Sequence, residues 1–276
     1  MITLINVNKK IIPADMENFT EKSNQGLLTH KPYKIGVKIN DYIKTFTLKN
    51  KQESLIEDFI NHLIKEINQD KDANQWYIYF HNFSNFDAWP IAKYLRQSTL
   101  EGWNWNKDII KRDNKIYEIT IRIPRNKKTI KFRDSYLHIN FSLRDAAKLF
   151  ELKETKGDFD FEDLSFEKLQ KKDHELELYM KRDIEVLNEI LKNYEQFCRT
   201  NFFKASITTS ITLASLSQKH YLKHYYPKET HEPEIQALNE TTDRFVRESY
   251  LGGIADIYKP NLKDGVIVDV NSLYPY

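Results

Sequence analysis

The chain has 276 residues, 40% of them hydrophobic, with 42 Lys and Arg against 40 Asp and Glu; that is enough to bury one large core and part of another, and too balanced for a global positive field. Its single cysteine, Cys198, excludes a disulfide framework and a cysteine-based zinc cluster and fits a reduced compartment. No apolar run approaches the roughly 20 residues that cross a bilayer, so no membrane partner is expected and any contact with a polyanion must rest on local basic strips.

In chain order, Ile2, Leu4, Ile5 and Val7 predict a short opening strand without the Arg-rich amphipathic character of a transit peptide. A protein working in an organelle would then be encoded there, and the heavy use of Lys, Asn and Ile points to an AT-rich genome. After the polar Lys9 and Lys10, a second extended stretch is expected from Ile11 and Ile12 to Asp15 and Glu17, and another strand near Tyr33 to Lys38. Residues 52–69 carry Leu55, Ile56, Phe59, Ile60, Leu63, Ile64 and Ile67 at helical spacing. Trp76 to Phe80 reads as an aromatic strand, and Pro90 fits the first turn of a helix from about Asp87 to Arg96.

Tyr117, Ile119, Ile121 and Ile123 alternate with polar residues, Pro124 to Lys128 read as a turn, and Ile130, Phe132 and Asp134 alternate again, which predicts a hairpin. Long helices are expected over about 174–197 and 205–225, followed by a polar stretch with Pro227 and Pro233 that reads as the linkage between domains. There is no internal repeat and no low-complexity tract.

Three carboxylate groupings carry chemistry. Asp15 and Glu17 occupy alternate positions of a strand, so both point to one face and can reach one metal ion, although a solvated strand end would look the same. Asp87 ends the segment HNFSNFD, beside Asn82 and Phe86, where a helix cap is the competing reading. Tyr179 and Asp183 lie one helical turn apart on one face, where a phenol can orient a metal-bound water and the carboxylate can complete a coordination shell. Four carboxylates at one centre repel each other unless cations sit between them. Two hard divalent cations held by oxygen ligands would activate water against a phosphodiester, so the chemistry implied by convergence is phosphodiester hydrolysis.

This ordered set resembles the proofreading exonuclease of family B DNA polymerases, in particular the protein-primed branch of linear mitochondrial plasmids and some bacteriophages. Asp15 and Glu17 in ADMEN resemble its first exonuclease motif, Asn82 through Asp87 the second in a longer spacing, and Tyr179 and Asp183 in YMKRD the third. Ser142-Leu143, after the strand FRDSYLHI, and Lys156 in KGDFDF match two subsidiary patterns. The resemblance implies that Asn82, Phe86, Ser142 and Leu143 touch single-stranded DNA and that Lys156 contacts the scissile phosphate, although Phe86 can equally be a core residue and Lys156 a surface charge. Two departures concern DNA contacts: Asn18 stands where threonine is usual, and Phe161 where an aromatic hydroxyl often occurs.

Tyr250-Leu251-Gly252-Gly253 resembles the loop that joins exonuclease and polymerase domains and contacts template DNA, an ordinary turn being the alternative. Asp269 to Pro275, DVNSLYP, resembles the first polymerase motif; there the aspartate binds metal, and Ser272, Leu273 and Tyr274 would hold the incoming nucleotide, with Tyr274 excluding a ribose 2′-hydroxyl. A metal-binding carboxylate needs packing and partners on both sides. With Asp269 so near its last residue, the chain is expected to be the front part of something larger and unable to extend primers alone.

The expected architecture is a ribonuclease-H-like α/β exonuclease domain with a mixed sheet over 1–200, a helical connector over 201–248 and the beginning of a polymerase palm over 249–276. The resemblance implies Mg2+ or Mn2+ at a two-metal site, and as partners single-stranded and primer-template DNA, with a terminal-protein primer or a separately encoded palm. It implies a mitochondrial, organelle-encoded location, or otherwise a viral or cytoplasmic one. Two other readings stand beside the nuclease: a non-catalytic DNA-binding subunit and a decaying organellar reading frame.

Overall fold

The first strand, β1 (Lys9–Lys22), changes partner halfway along its length. Lys9 to Pro13 run parallel to β4 (Gln75–Phe80), and Ala14 to Lys22 run antiparallel to β2 (Leu28–Ile39). The computed structural model describes residues 9–22, 28–50, 54–98, 100, 103–123, 126–153, 157–160, 164–226 and 238–248. The expected opening strand, the Pro227 and Pro233 linkage, Lys156, Phe161 and the motifs holding Tyr250, Gly252, Gly253, Asp269, Ser272, Leu273 and Tyr274 lie outside those residues.

Seven strands form one mixed sheet in the order β3-β2-β1-β4-β7-β6-β5. The added strands are β3 (Tyr42–Thr47), β5 (Ile109–Arg112), β6 (Lys115–Ile123) and β7 (Lys128–Asp134). β1, β4 and β7 are mutually parallel, and the outer pairings are antiparallel. The ribonuclease-H-like mixed α/β class expected from the sequence is the one found.

The alternation of β4 separates the two faces. Trp76, Ile78 and Phe80 join a core with helices α1 (Leu55–Gln69) and α2 (Ala88–Gln97). Tyr77 and Tyr79 join the other, with α4 (Leu143–Leu149) and the 29-residue helix α6 (Asp173–Asn201). Among the described residues up to Tyr226 the further helices are α3 (Trp105–Asp108), α5 (Phe166–Lys171) and α7 (Leu213–His224), with 3-10 turns at Ser135–Leu137 and Ile207–Thr209.

Three positions of one β2 face seat α6. Lys34, wholly buried, pairs with Asp173 at 2.9 Å and Glu177 at 3.4 Å. Lys38 pairs with Glu185 at 2.5 Å. Between them Gly36 leaves room for Met180 and Ile184, so the helix lies down along the strand with its charges matched at each side. On the other side of β4, Arg133 of β7 binds Glu118 of β6 through Nε at 2.6 Å and donates from Nη1 to the carbonyls of Thr208 and Ser210, both at 3.0 Å. That buried pair ties the segment after α6 to the sheet.

The chain divides into two compact units, Met1–Tyr226 and Pro227–Tyr276. Helix α8 (Glu240–Glu248) belongs to the second. Among the described residues no helix is long and apolar enough to cross a membrane.

Candidate active site

The parallel strands β1, β4 and β7 run out at one edge of the sheet, where crevices form in sheets of this kind. Asp15 and Glu17 follow the point at which β1 leaves β4, residues 81–87 follow β4, and Asp134 ends β7 opposite Phe80. Asp15 and Glu17 are half-buried, Asp87 and Asp183 are buried, and the intervening Met16 turns into the core. A pocket of about 380 Å3 lies here; Asp15, Asn18, His81, Asn82, Phe86 and Asp87 are among its lining residues.

Electrostatics join this pocket to α6. Burial raises the Asp87 pKa well above the usual carboxylate range, and the charges of Asp15 and Asp134 raise it further. Burial likewise raises the Tyr179 phenol, followed by the charges of Asp183, Glu17 and Asp15 and by a hydrogen bond to Asp183. Asp15 thus acts on both Asp87 and Tyr179, and Glu17 and Asp183 act on Tyr179, across 169 positions of sequence from Asp15 to Asp183 inclusive.

Asp87 occupies the N-cap position of α2, yet its side chain makes no capping hydrogen bond. Phe86 is 59% exposed beside the acids, so it is no core residue and its ring is open to stacking. Asn82 adopts a left-handed backbone, φ 68°. Asp134 holds that turn: Oδ1 accepts from the Asn82 amide at 2.8 Å and from the Tyr136 amide at 2.9 Å, and Oδ2 accepts from the Ser84 amide at 2.9 Å.

Ser142 and Leu143 are not among the residues that line the pocket, although Phe141 directly before them is bonded to its residue His81. Ser142 Oγ caps α4, accepting from the Asp145 amide at 3.1 Å and donating to Asp145 Oδ2 at 2.6 Å, while Leu143 is buried in the core under α4. A serine three positions before Asp at a helix start is a capping pattern. The pocket residue His81 is held from behind by the buried Ser135, whose hydroxyl is 2.9 Å from His81 Nδ1, and His81 Nε2 donates to the Phe141 carbonyl at 2.9 Å. His81, Asp134 and Ser135 were missed because each reads singly as a strand end, although the polar pair His81-Asn82 directly after an apolar strand was a usable signal.

Lys156 lies outside the described residues, but Gly157 beside it donates its amide to Asp183 Oδ1 at 3.1 Å and packs against Tyr179. Gly157 is therefore anchored on the third acidic element.

Among the described residues no three carboxylate, imidazole or thiolate groups converge as a ready cage for an ion. The chemistry of the donor set nevertheless fits a hard divalent cation: the groups are carboxylate oxygens, and their mutual repulsion is what such a cation relieves.

A family described as DNA polymerase type B, organellar and viral, matches residues 67–175 and 165–276. A probable DNA polymerase of Agaricus bitorquis is 28% identical over 311 residues, covering 97% of this chain and 38% of that protein. The DNA polymerase of Bacillus phage Nf is 29% identical over 216 residues, covering 72% of this chain and 35% of its own. The chain thus spans little more than a third of the length of these relatives. Among solved structures, Phi29 DNA polymerase complexed with primer-template DNA and incoming nucleotide substrates matches with a TM-score of 0.60 and 21% identity, over 88% of this chain and 39% of that one. At that identity the likeness concerns the fold.

Proposed function

Since the chain belongs to the organellar and viral type B DNA polymerases, we propose that its first unit is the 3′→5′ exonuclease of such a polymerase, removing nucleotides from the end of a single DNA strand. The observation that carries this reading is the electrostatic coupling of Asp15, Glu17, Asp87, Tyr179 and Asp183 at the carboxyl edge of the parallel strands.

Asp15, Glu17, Asp87 and Asp183 would hold Mg2+ or Mn2+, which when bound supplies activation of water and neutralisation of charge on the leaving oxygen. Burial and three carboxylates oppose ionisation of the Tyr179 phenol. In this reading it positions by hydrogen bonding. Phe86 offers a face to the terminal base, and Asn82, fixed in its turn by Asp134, offers an amide to the strand. Lys156 would meet the developing charge of the scissile phosphate.

In the second unit the resemblance supports template contacts for Tyr250, Gly252 and Gly253, metal binding for Asp269 and nucleotide binding for Ser272, Leu273 and Tyr274. Primer-template DNA is then a partner, as it is in the Phi29 complex, and a terminal-protein primer is compatible with the subfamily. An organellar or viral replicon is the setting in keeping with fungal and phage relatives.

Incubation of the full chain with a 5′-labelled single strand and Mg2+ tests the reading. Stepwise shortening with release of mononucleotides is expected. Internal cleavage, or an intact strand in the presence of folded protein and metal, would overturn it.

A further inference from the structure

The acidic pocket adjoins a second depression of about 400 Å3, with which it shares the lining residues His30, Trp89 and Pro90. Its other walls include Lys31, Lys93, Arg96 and Trp105. No carboxylate is among its described lining residues, in contrast to the Asp15 and Asp87 of its neighbour.

Helix α2 organises this surface. Trp89, Lys93 and Arg96 follow at spacings of four and three, so they form one stripe, and all three are exposed. The helix contains no Asp or Glu. Opposite it, the Arg96 guanidinium lies 5.5 Å from the centre of the Trp105 ring, and Lys111 Nζ lies 5.9 Å from the same ring. His30 and Lys31, at the start of β2, close the groove, Lys31 also pairing with Glu21. In a chain whose charges nearly cancel, such a one-signed strip beside an acidic pocket has a specific electrostatic meaning. It attracts phosphate where the pocket beside it repels it.

We propose that this groove holds the nucleotides lying 5′ of the scissile one, in a single DNA strand whose 3′ end occupies the acidic pocket. The proposal rests on the exonuclease reading for its direction and on the groove itself for its ligand. Lys93, Arg96 and Lys31 meet phosphates, while Trp89 and Trp105 receive unpaired bases. From Trp89 to Arg96 the stripe extends about 10 Å along the helix axis, matching about three stacked nucleotides at about 3.4 Å each. Ring faces are of use only to bases free of a complementary strand, which selects single-stranded over duplex DNA.

The test uses the full chain and a Lys93→Glu, Arg96→Glu double variant, with circular dichroism to verify that both are folded. A Trp105→Ala variant isolates the stacking contribution. Intrinsic tryptophan fluorescence is titrated with a twelve-nucleotide oligothymidylate in EDTA. Trimming of twelve- and three-nucleotide strands is then followed with Mg2+.

The double variant is expected to bind the longer strand about tenfold more weakly, with a salt dependence shallower by about 1.4, the contribution of two phosphates in a single strand. The advantage of the twelve-mer over the three-mer in KM should shrink by about the same factor, and Trp105→Ala should reduce the fluorescence response and the affinity together. Equal binding by wild type and charge-reversed variant, or a loss identical for both lengths, would overturn the groove. If the wild type trims nothing while the variant still loses affinity, the exonuclease reading fails and the groove stands as a single-strand site.

Discussion

Gly36 stands opposite Asp15 in the β1–β2 ladder, and a Cβ there would stand 2.5 Å from Ile184 Cδ1 and 2.9 Å from Met180 Sδ. The strand that faces the first carboxylate is thus also the floor on which the helix of Tyr179 and Asp183 rests. Cross-strand partners share a face, so the missing side chain at Gly36 sets how closely two of the three acidic elements approach.

Replacing Gly36 by Ala is expected to cost about 1–3 kcal/mol, because the added methyl must displace packed core atoms. The site should suffer more than the fold. At temperatures where the variant is fully folded, trimming should fall by about tenfold or more, since α6 carries two of the five site groups and small misplacements are expensive. Urea denaturation and single-turnover trimming measure the two effects, and a variant with unaltered trimming would show that the approach of α6 is not critical.

Asp134 is the brace of the turn between β4 and α2. In Asp134→Asn one oxygen becomes an NH2 group, so at least one of the amides of Asn82, Tyr136 and Ser84 loses its acceptor, the Ser84 amide alone if Oδ1 stays an oxygen. A loss of about 1–3 kcal/mol is expected for the unpaired buried donor. If Asp134 acts by placing Asn82 and Phe86, KM for single strands should rise along with the fall in turnover. A stability loss with unchanged KM would make it purely structural.

Much of the sheet is legible in the sequence because its signals are local. The alternation of Ile119, Ile121, Ile130 and Phe132 predicts the β6–β7 hairpin, and the apolar stripe of residues 55–67 predicts α1. Strand β3 was not foreseen, since none of its residues is fully buried and its pattern carries little periodicity. β5 has only four residues, and α4 and α5 have seven and six, below the length at which a helical stripe can be read. The helix expected over about 205–225 is in fact a 3-10 turn followed by α7. The division of β1 between parallel and antiparallel partners needs tertiary structure altogether. So does the basic face of α2, whose meaning depends on His30 and Trp105 arriving from elsewhere in the chain.

His138 is buried with Nε2 donating to the Ser210 carbonyl at 3.1 Å and Nδ1 at 3.3 Å from the Tyr194 phenol. Burial, helped by the charge of Arg133, lowers its pKa from 6.5 to about 4. Between these values the unfolded chain binds a proton that the folded chain refuses. Stability is therefore highest above the unfolded pKa and falls as the pH drops toward the folded one, by up to about 3 kcal/mol. His138→Gln, which can keep the donor to Ser210, should be less stable at neutral pH. Its stability should also fall less steeply on acidification, by about one proton in the slope. Urea denaturation across that pH range measures it, and parallel slopes for the two proteins would contradict the assignment.

The most direct test of the central claim compares the wild-type chain with an Asp15→Ala, Glu17→Ala double variant on 5′-labelled and 3′-labelled single strands with Mg2+. The account predicts stepwise removal of 3′ nucleotides by the wild type, and a variant that still folds and still quenches tryptophan fluorescence on binding the strand but releases no nucleotide. Trimming that persists in the folded variant, or that proceeds from the 5′ end, would contradict it.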